Sequence, residues 1–313
     1  MVELDDEKIR KIVREGYGKI AENARNNSCC GPSIDTTIEP TNSCCGPSAN
    51  TPNVNSSSCC GDGSPQVVLA DEEYSNLDIG YSKEDLSSIP EGANLGLGCG
   101  NPTALASVKE GETVIDLGSG AGIDCFLAAN KVGKTGKVIG VDMTAQMIDN
   151  ARENAKNGNY ENVEFRLGEI ENLPVADNTA DLIISNCVIN LSPNKERVFQ
   201  EAFRVLKPGG RVMVSDIVLT EKLPSLLKES LEAYVGCVSG AMIKDGYLKV
   251  IEEAGFGDVE ILGESYYPIR LMLTDKYINE FKEKHNLTPE QIEEIRNFKG
   301  NGISMGVKAY KPI

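Results

Sequence analysis

Val114-Ile115-Asp116-Leu117-Gly118-Ser119-Gly120-Ala121-Gly122 is an apolar run that takes in one acid and then breaks into closely spaced glycines. The run reads as a strand, and the glycines let the backbone turn tightly and approach a ligand before the next helix starts. Such a turn is a weak signal by itself. Its spacing departs from the G-x-G-x-x-G dinucleotide fingerprint at the third glycine, and Asp116 stands two positions before the first. About twenty residues on, Asp142 closes the next strand, where a carboxylate can accept hydrogen bonds from both hydroxyls of a ribose. A helix cap or turn aspartate would explain either acid alone, but not their joint spacing.

The same alternation extends outward. Thr113–Leu117, Lys137–Asp142, Val163–Leu167, Ala180–Ser185 and Arg211–Asp216 read as strands, most of them separated by helical patterns. Val/Ile-rich strands joined by helices predict a parallel sheet covered on both faces, with ligands beyond the carboxyl ends of the strands. Further on, Leu226–Tyr234 and Leu248–Ala254 have helical patterns, the second stopped by Gly255, and Val259–Leu262 reads as a strand. A helical insertion is expected around Tyr277–Phe298, with Pro289 near a helix start, and a last strand near Ser304–Ala309.

Toward the amino terminus, Ile9, Ile12, Val13, Tyr17 and Ile20 recur at helical spacing within residues 3–25, an amphipathic lid or accessory laid on something larger. From Asn26 to about Pro65 the chain is rich in Asn, Ser, Thr, Pro, Gly and Cys and cannot bury a core. Ser28-Cys29-Cys30-Gly31-Pro32-Ser33 recurs there as Ser43-Cys44-Cys45-Gly46-Pro47-Ser48, and Cys59-Cys60-Gly61 is a degraded third copy. The expected organisation is an N-terminal helix over 1–25, a flexible repeat segment over 26–65, the main domain over 66–264 and a C-terminal insertion with the final strand over 265–313.

Composition narrows the function. With 31 Lys+Arg against 47 Asp+Glu in 313 residues, the formal charge is -16, which repels phosphate backbones and anionic lipid. No apolar stretch approaches the roughly 20 residues of a membrane span, and Met1–Arg14 is charged where a signal peptide would be apolar. The expectation is a cytoplasmic monomer without nucleic-acid or membrane partners. In a reducing compartment, ten cysteines point to metalloid or metal binding and thiol chemistry rather than disulfides. The single histidine, His285, leaves no room for a His-based triad or a His-rich metal site.

Asp116-Leu117-Gly118-Ser119-Gly120, Asp142, and Leu206-Lys207-Pro208-Gly209-Gly210 ahead of a strand together resemble the class I methyltransferase signature, over roughly residues 75–313. The resemblance implies an α/β, Rossmann-like fold with a mostly parallel, doubly wound sheet, and S-adenosylmethionine as cofactor. By position, Gly118 and Gly120 would approach the methionine moiety, with Ser119 and Gly122 in the same loop, and Asp116 would support that loop or the ammonium. Asp142 would bind the ribose and Met143 pack on adenine, Glu169 and Ile170 would hold the adenine edge, and Asn186 would lie near the reacting methyl. Met143 also reads as core filler, and Glu169 as a solvated loop charge.

Cys99 in Gly98-Cys99-Gly100-Asn101-Pro102, Cys187 in Ser185-Asn186-Cys187 and Cys237 in Val235-Gly236-Cys237-Val238 resemble the arsenite methyltransferase family, which binds trivalent arsenic through equivalent cysteines. A pyramidal arsenic(III) centre held by thiolates keeps a lone pair that can attack a sulfonium methyl. No general base is needed, which suits a chain with one histidine. Cys125, among core-like neighbours, reads as a buried small hydrophobe. The paired Cys29, Cys30, Cys44, Cys45, Cys59 and Cys60 read either as a tether that captures thiophilic ions or as a redox or metal-binding arm. A thiol reductant, thioredoxin or a small thiol, would be the co-substrate, and arsenite or its thiol conjugates the substrate. The competing readings are a class I methyltransferase for a quinone, sterol or other small acceptor, and a non-catalytic thiol-rich sequestering protein.

Overall fold

The computed structural model describes residues 5–26, 81–98, 108–224, 238–267 and 287–313, together with 227, 269, 278, 279, 282 and 283. A seven-stranded sheet runs in the order β3-β2-β1-β4-β5-β7-β6, with β1 (Thr113–Leu117), β2 (Lys137–Asp142), β3 (Val163–Leu167), β4 (Ala180–Asn186), β5 (Leu206–Leu219), β6 (Gly257–Tyr267) and β7 (Gly302–Tyr310). The first five pair in parallel, and β7 runs antiparallel between β5 and β6. The order reverses at β1, whose neighbours are β2 and β4, so a crevice opens at the carboxyl ends of these strands.

The central strands are apolar because both faces are covered. Val114, Leu182 and Ile184 pack on one side with Phe126 and Ala129 of α3 (Ile123–Val132), while Ile115, Ile183 and Val212 pack on the other with Phe199 and Ala202 of α5 (Lys195–Val205). Both layers exist because the strands alternate their side chains across the sheet. α2 (Lys83–Ser87) lies ahead of β1, and α4 (Ala145–Asn157), between α3 and α5 in sequence, buries Met147, Ile148, Ala151 and Asn154 at helical spacing. α6 (Lys244–Glu253) contributes Tyr247 to the second layer, its ring 5.6 Å edge-on from Phe199. In α7 (Pro289–Asn297) Pro289 occupies the first turn, and Thr288 and Gln291 form a capping box.

The described elements follow the sequence expectations with shifted ends. β5 runs from Leu206, before the Pro208-Gly209-Gly210 turn signal, and β6 extends well beyond Val259–Leu262. α6 begins at Lys244 rather than Leu248. The 264/265 division falls inside β6, and β7 inserts between β5 and β6, so residues 265–313 help to complete the main layer. The repeat segment and nearly all of the Leu226–Tyr234 pattern lie outside the described residues.

The amino-terminal helix α1 (Asp6–Asn26) lies along α4. Asn150 donates to the Ala21 carbonyl at 3.1 Å, Gln146 to Glu22 at 3.1 Å and Arg25 to Glu153 at 2.6 Å. Its apolar stripe, through Val13 and Tyr17, continues past α4 and covers the mouth of the crevice.

Candidate active site

The crevice is a cleft of about 1020 Å3, open mouth included, bounded by the ends of β1, β2 and β4 and by α1. Its floor is the glycine turn. Gly118 and Ser119 donate their N–H groups to the Val141 carbonyl at 2.8 and 3.0 Å, which pins the turn to the end of β2. Gly118 has φ +69°, and a Cβ there would run into the Val188 side chain. Gly120 has φ +52°, and a Cβ there would meet nothing within 4 Å, because that direction opens into the cleft. Gly122 serves packing instead: a Cβ would stand 2.6 Å from Phe126 and 2.9 Å from Phe165, and the residue does not line the cleft.

Acids dominate the polar lining. Asp142 accepts from the Gly120 N–H at 3.0 Å with one oxygen and from the Thr144 N–H at 2.8 Å with the other, leaving lone pairs on both oxygens. Asp116, 2% exposed, accepts from the Cys125 thiol at 3.2 Å. Asp124, on the first turn of α3, accepts from the Tyr81 hydroxyl at 2.9 Å. Burial raises all three carboxyls. It takes Asp124 to about 6 against the pull of Tyr81 and Asn186, and lifts Asp116 well above its ordinary range with help from the Asp124 charge; in Asp142 it outweighs the Thr144 and Gly120 donors. Among the described residues no Lys or Arg pairs with these three, and the one basic group lining the cleft, Arg10, faces Glu171 at 3.4 Å and Glu169 at 3.6 Å. Buried carboxylates without counter-charges are costly, so the cleft suits a cationic ligand. The Ser119 hydroxyl, buried in the floor, has no hydrogen-bond partner among the described residues. A cation bearing an amine and hydroxyls fits this set.

The wall formed by β4 differs. Cys187 follows Asn186 with φ +60°, a left-handed conformation that a cysteine rarely takes, and its N–H donates to the Ser215 carbonyl at 2.8 Å. Its side chain lines the cleft among Val13, Leu191, Ile217, Met143 and Tyr17. Met143 therefore serves both as lining and as packing against this thiol. Asn186 donates to the Tyr81 hydroxyl at 2.9 Å and to Asp124 at 3.3 Å. A Cβ on Gly98 would stand 2.6 Å from the Asn186 amide nitrogen, so the chain at Gly98 lies against that amide.

Of the residues singled out from sequence, Asp116, Gly118, Ser119, Gly120, Asp142, Met143, Ile170, Asn186 and Cys187 line one cleft. Glu169 does not; it pairs with Arg10 and Arg14 of α1, and its neighbour Glu171 lines the cleft, accepting from Ser192 at 2.7 Å. Cys125 is fully buried in the core. Cys99, Cys237, His285 and the six paired cysteines lie outside the described residues. Sequence reasoning missed Asp124, Tyr81, Glu171 and Arg10, and read Val13 and Tyr17 only as part of the apolar stripe of a lid or accessory. Asp124 alone left a signal, as an acid in an otherwise apolar helix start after the glycine turn.

A family model described as a methyltransferase domain matches residues 108–255. An arsenite methyltransferase of Halobacterium salinarum is 46% identical over 83% of this chain and 60% of its own length, and one of Homo sapiens is 35% identical over 56% of this chain and 49% of its own. The chain thus spans only about half to 60% of these curated relatives. The crystal structure of an arsenic(III) S-adenosylmethionine methyltransferase from Chlamydomonas reinhardtii superposes with a TM-score of 0.57 at 30% identity, covering 74% of this chain and 71% of that one. The switch-point cleft, the glycine turn with its two aspartates and this likeness agree: the chain belongs to the arsenite methyltransferase family, within the class I S-adenosylmethionine methyltransferases.

Proposed function

We propose that the chain moves a methyl group from S-adenosylmethionine to trivalent arsenic held by cysteine thiolates. The observation that carries this reading is Cys187, a thiol kept at φ +60° on the wall of an acidic cleft. Strained backbone at a cleft is held in place by the surrounding fold and is a mark of function.

When bound, S-adenosylmethionine supplies a methyl group made electrophilic by a sulfonium. The chain's part is placement. Asp142 has lone pairs left for ribose hydroxyls, Met143 and Ile170 offer apolar faces to adenine, and Ser119 offers a buried hydroxyl to the methionine end. Asp116 and Asp124 are carboxyls in a poorly solvated floor; a cation bound there offsets the cost of ionising them and is attracted to the ionised form far more than in water. Glu169 becomes available to the adenine edge only when released from Arg10 and Arg14.

On the acceptor side we assign Cys187, Cys99 and Cys237. Each thiol that binds arsenite replaces one hydroxyl, which leaves as water, and the arsenic keeps its lone pair. That pair forms the As–C bond as the C–S bond breaks, so no side chain has to take a proton. Arsenic formally gains two units of oxidation, and a thiol pair returns it to the trivalent state by becoming a disulfide. This is the place of the thiol reductant. The apolar setting of Cys187 favours a neutral, soft acceptor over an anion.

The test is methyl transfer from labelled S-adenosylmethionine to arsenite with a dithiol, alongside a reduced quinone as competing acceptor. Label in methylated arsenic supports the reading. Label in the quinone alone overturns the acceptor, and no transfer with intact cofactor binding makes the protein a sequestering one.

A further inference from the structure

We propose that Tyr81 is a positioning residue for the acceptor site, its hydroxyl holding the Asn186 amide so that the chain at Gly98 and the thiol at Cys187 keep a fixed separation. The inference rests on the function proposed above.

Tyr81 is 2% exposed, and its hydroxyl reaches residues far along the chain. It donates to one Asp124 oxygen at 2.9 Å and accepts from the Asn186 amide at 2.9 Å, while the same amide donates to the second Asp124 oxygen at 3.3 Å. The three side chains close a ring of hydrogen bonds that engages both amide hydrogens and fixes which way the amide faces. The clamped nitrogen lies against Gly98, where even a methyl group would stand 2.6 Å away. The backbone beyond Asn186 turns at once into the left-handed conformation of Cys187, held by the Ser215 carbonyl.

The chain at Gly98 and the turn at 186–187 are therefore registered on one amide. An arsenic centre bound by three thiolates needs those sulfurs at set mutual distances, and a preorganised pair loses less freedom on binding it. If Tyr81 served packing alone, a phenylalanine would replace it. A hydroxyl in a carboxylate ring beside the cleft has a directional role, because removing it leaves Asp124 and Asn186 each short of a partner.

The experiment is steady-state kinetics of Tyr81→Phe in the full chain, varying arsenite and S-adenosylmethionine separately, with monomethylated trivalent arsenic as a second acceptor. The clamp predicts that KM for arsenite rises about tenfold and KM for S-adenosylmethionine changes by less than about twofold. The monomethylated acceptor, which binds only two thiolates, should lose markedly less. Equal losses on both acceptors, or a parallel loss of cofactor affinity, would overturn it, as would unchanged kinetics. Should Tyr81→Phe not fold, Gly98→Ala, which presses a methyl group on the clamped Asn186 amide, must show the same split. Wild-type protein that does not methylate arsenite would instead sink the functional reading, and the clamp with it.

Discussion

The floor of the cleft and the wall beside it are built on opposite principles. At the ends of β1 and β2 the chain buries Asp116 and Asp124 and half-buries Asp142 around a glycine turn, with hydrogen bonds from backbone, thiol and phenol but no basic partner among the described residues. At the end of β4 it places one thiol among apolar side chains, in a left-handed backbone conformation held by the Ser215 carbonyl. On the function proposed above, the floor takes a cation and the wall a soft neutral centre. A methyl donor and its acceptor can then bind side by side without competing for the same groups, and the rate gain comes from their alignment.

The largest effect is expected where the two regions touch. Gly118→Ala would drive a methyl group into Val188, the residue after Cys187, at a φ of +69°. Its expected cost is about 1–3 kcal/mol of stability, with cofactor binding and methyl transfer lost together. Thermal melting and calorimetry check this; a stable variant with wild-type affinity would show that floor and wall do not constrain each other.

A smaller effect confined to the floor comes from Asp142→Ala. Hydrogen bonds to a charged group contribute about 1.5–3 kcal/mol, so S-adenosylmethionine affinity should fall at least about tenfold, while arsenite binding measured without the cofactor stays put. An equal loss of both would erase the distinction.

The smallest effect is a pH dependence. Asp124 is raised to about 6 by burial, above its ordinary 3.8, so ionising it destabilises the ligand-free fold as pH climbs between those values. A bound cation offsets that cost and favours the ionised form. S-adenosylmethionine affinity should therefore rise a few-fold, by about threefold or more, from about pH 5 to pH 7, with proton release on binding near pH 6. Asp216, raised to about 7 in the core, adds to the stability curve with the same sign but does not line the cleft. Calorimetry in buffers of different ionisation heat measures the released protons, and none would mean that Asp124 is already ionised.

Sequence carried the floor well and the wall poorly. Asp116, Gly118, Gly120 and Asp142 lie within two consecutive strand–turn units, so their spacing along the chain is their spacing in space. Tyr81 and Asn186 are 105 residues apart in sequence, and no local pattern announces such a contact. Glu171 differs from Glu169 only in which way a loop turns, which depends on Arg10 and Arg14 of a helix far away in sequence. β7 was recognisable as a strand from its alternation, but its place between β5 and β6 follows from sheet pairing that periodicity does not encode.

The most direct test is Cys187→Ser with two readouts, arsenic speciation by mass after incubation with arsenite, S-adenosylmethionine and a dithiol, and cofactor affinity by calorimetry. Cys125→Ser, in the core, serves as the control thiol. A serine hydroxyl stays protonated near neutral pH and is a hard ligand, so the account predicts that Cys187→Ser loses arsenite methylation by about a hundredfold or more while its S-adenosylmethionine affinity stays within about twofold of wild type. Arsenite methylation at the wild-type rate in Cys187→Ser would contradict it.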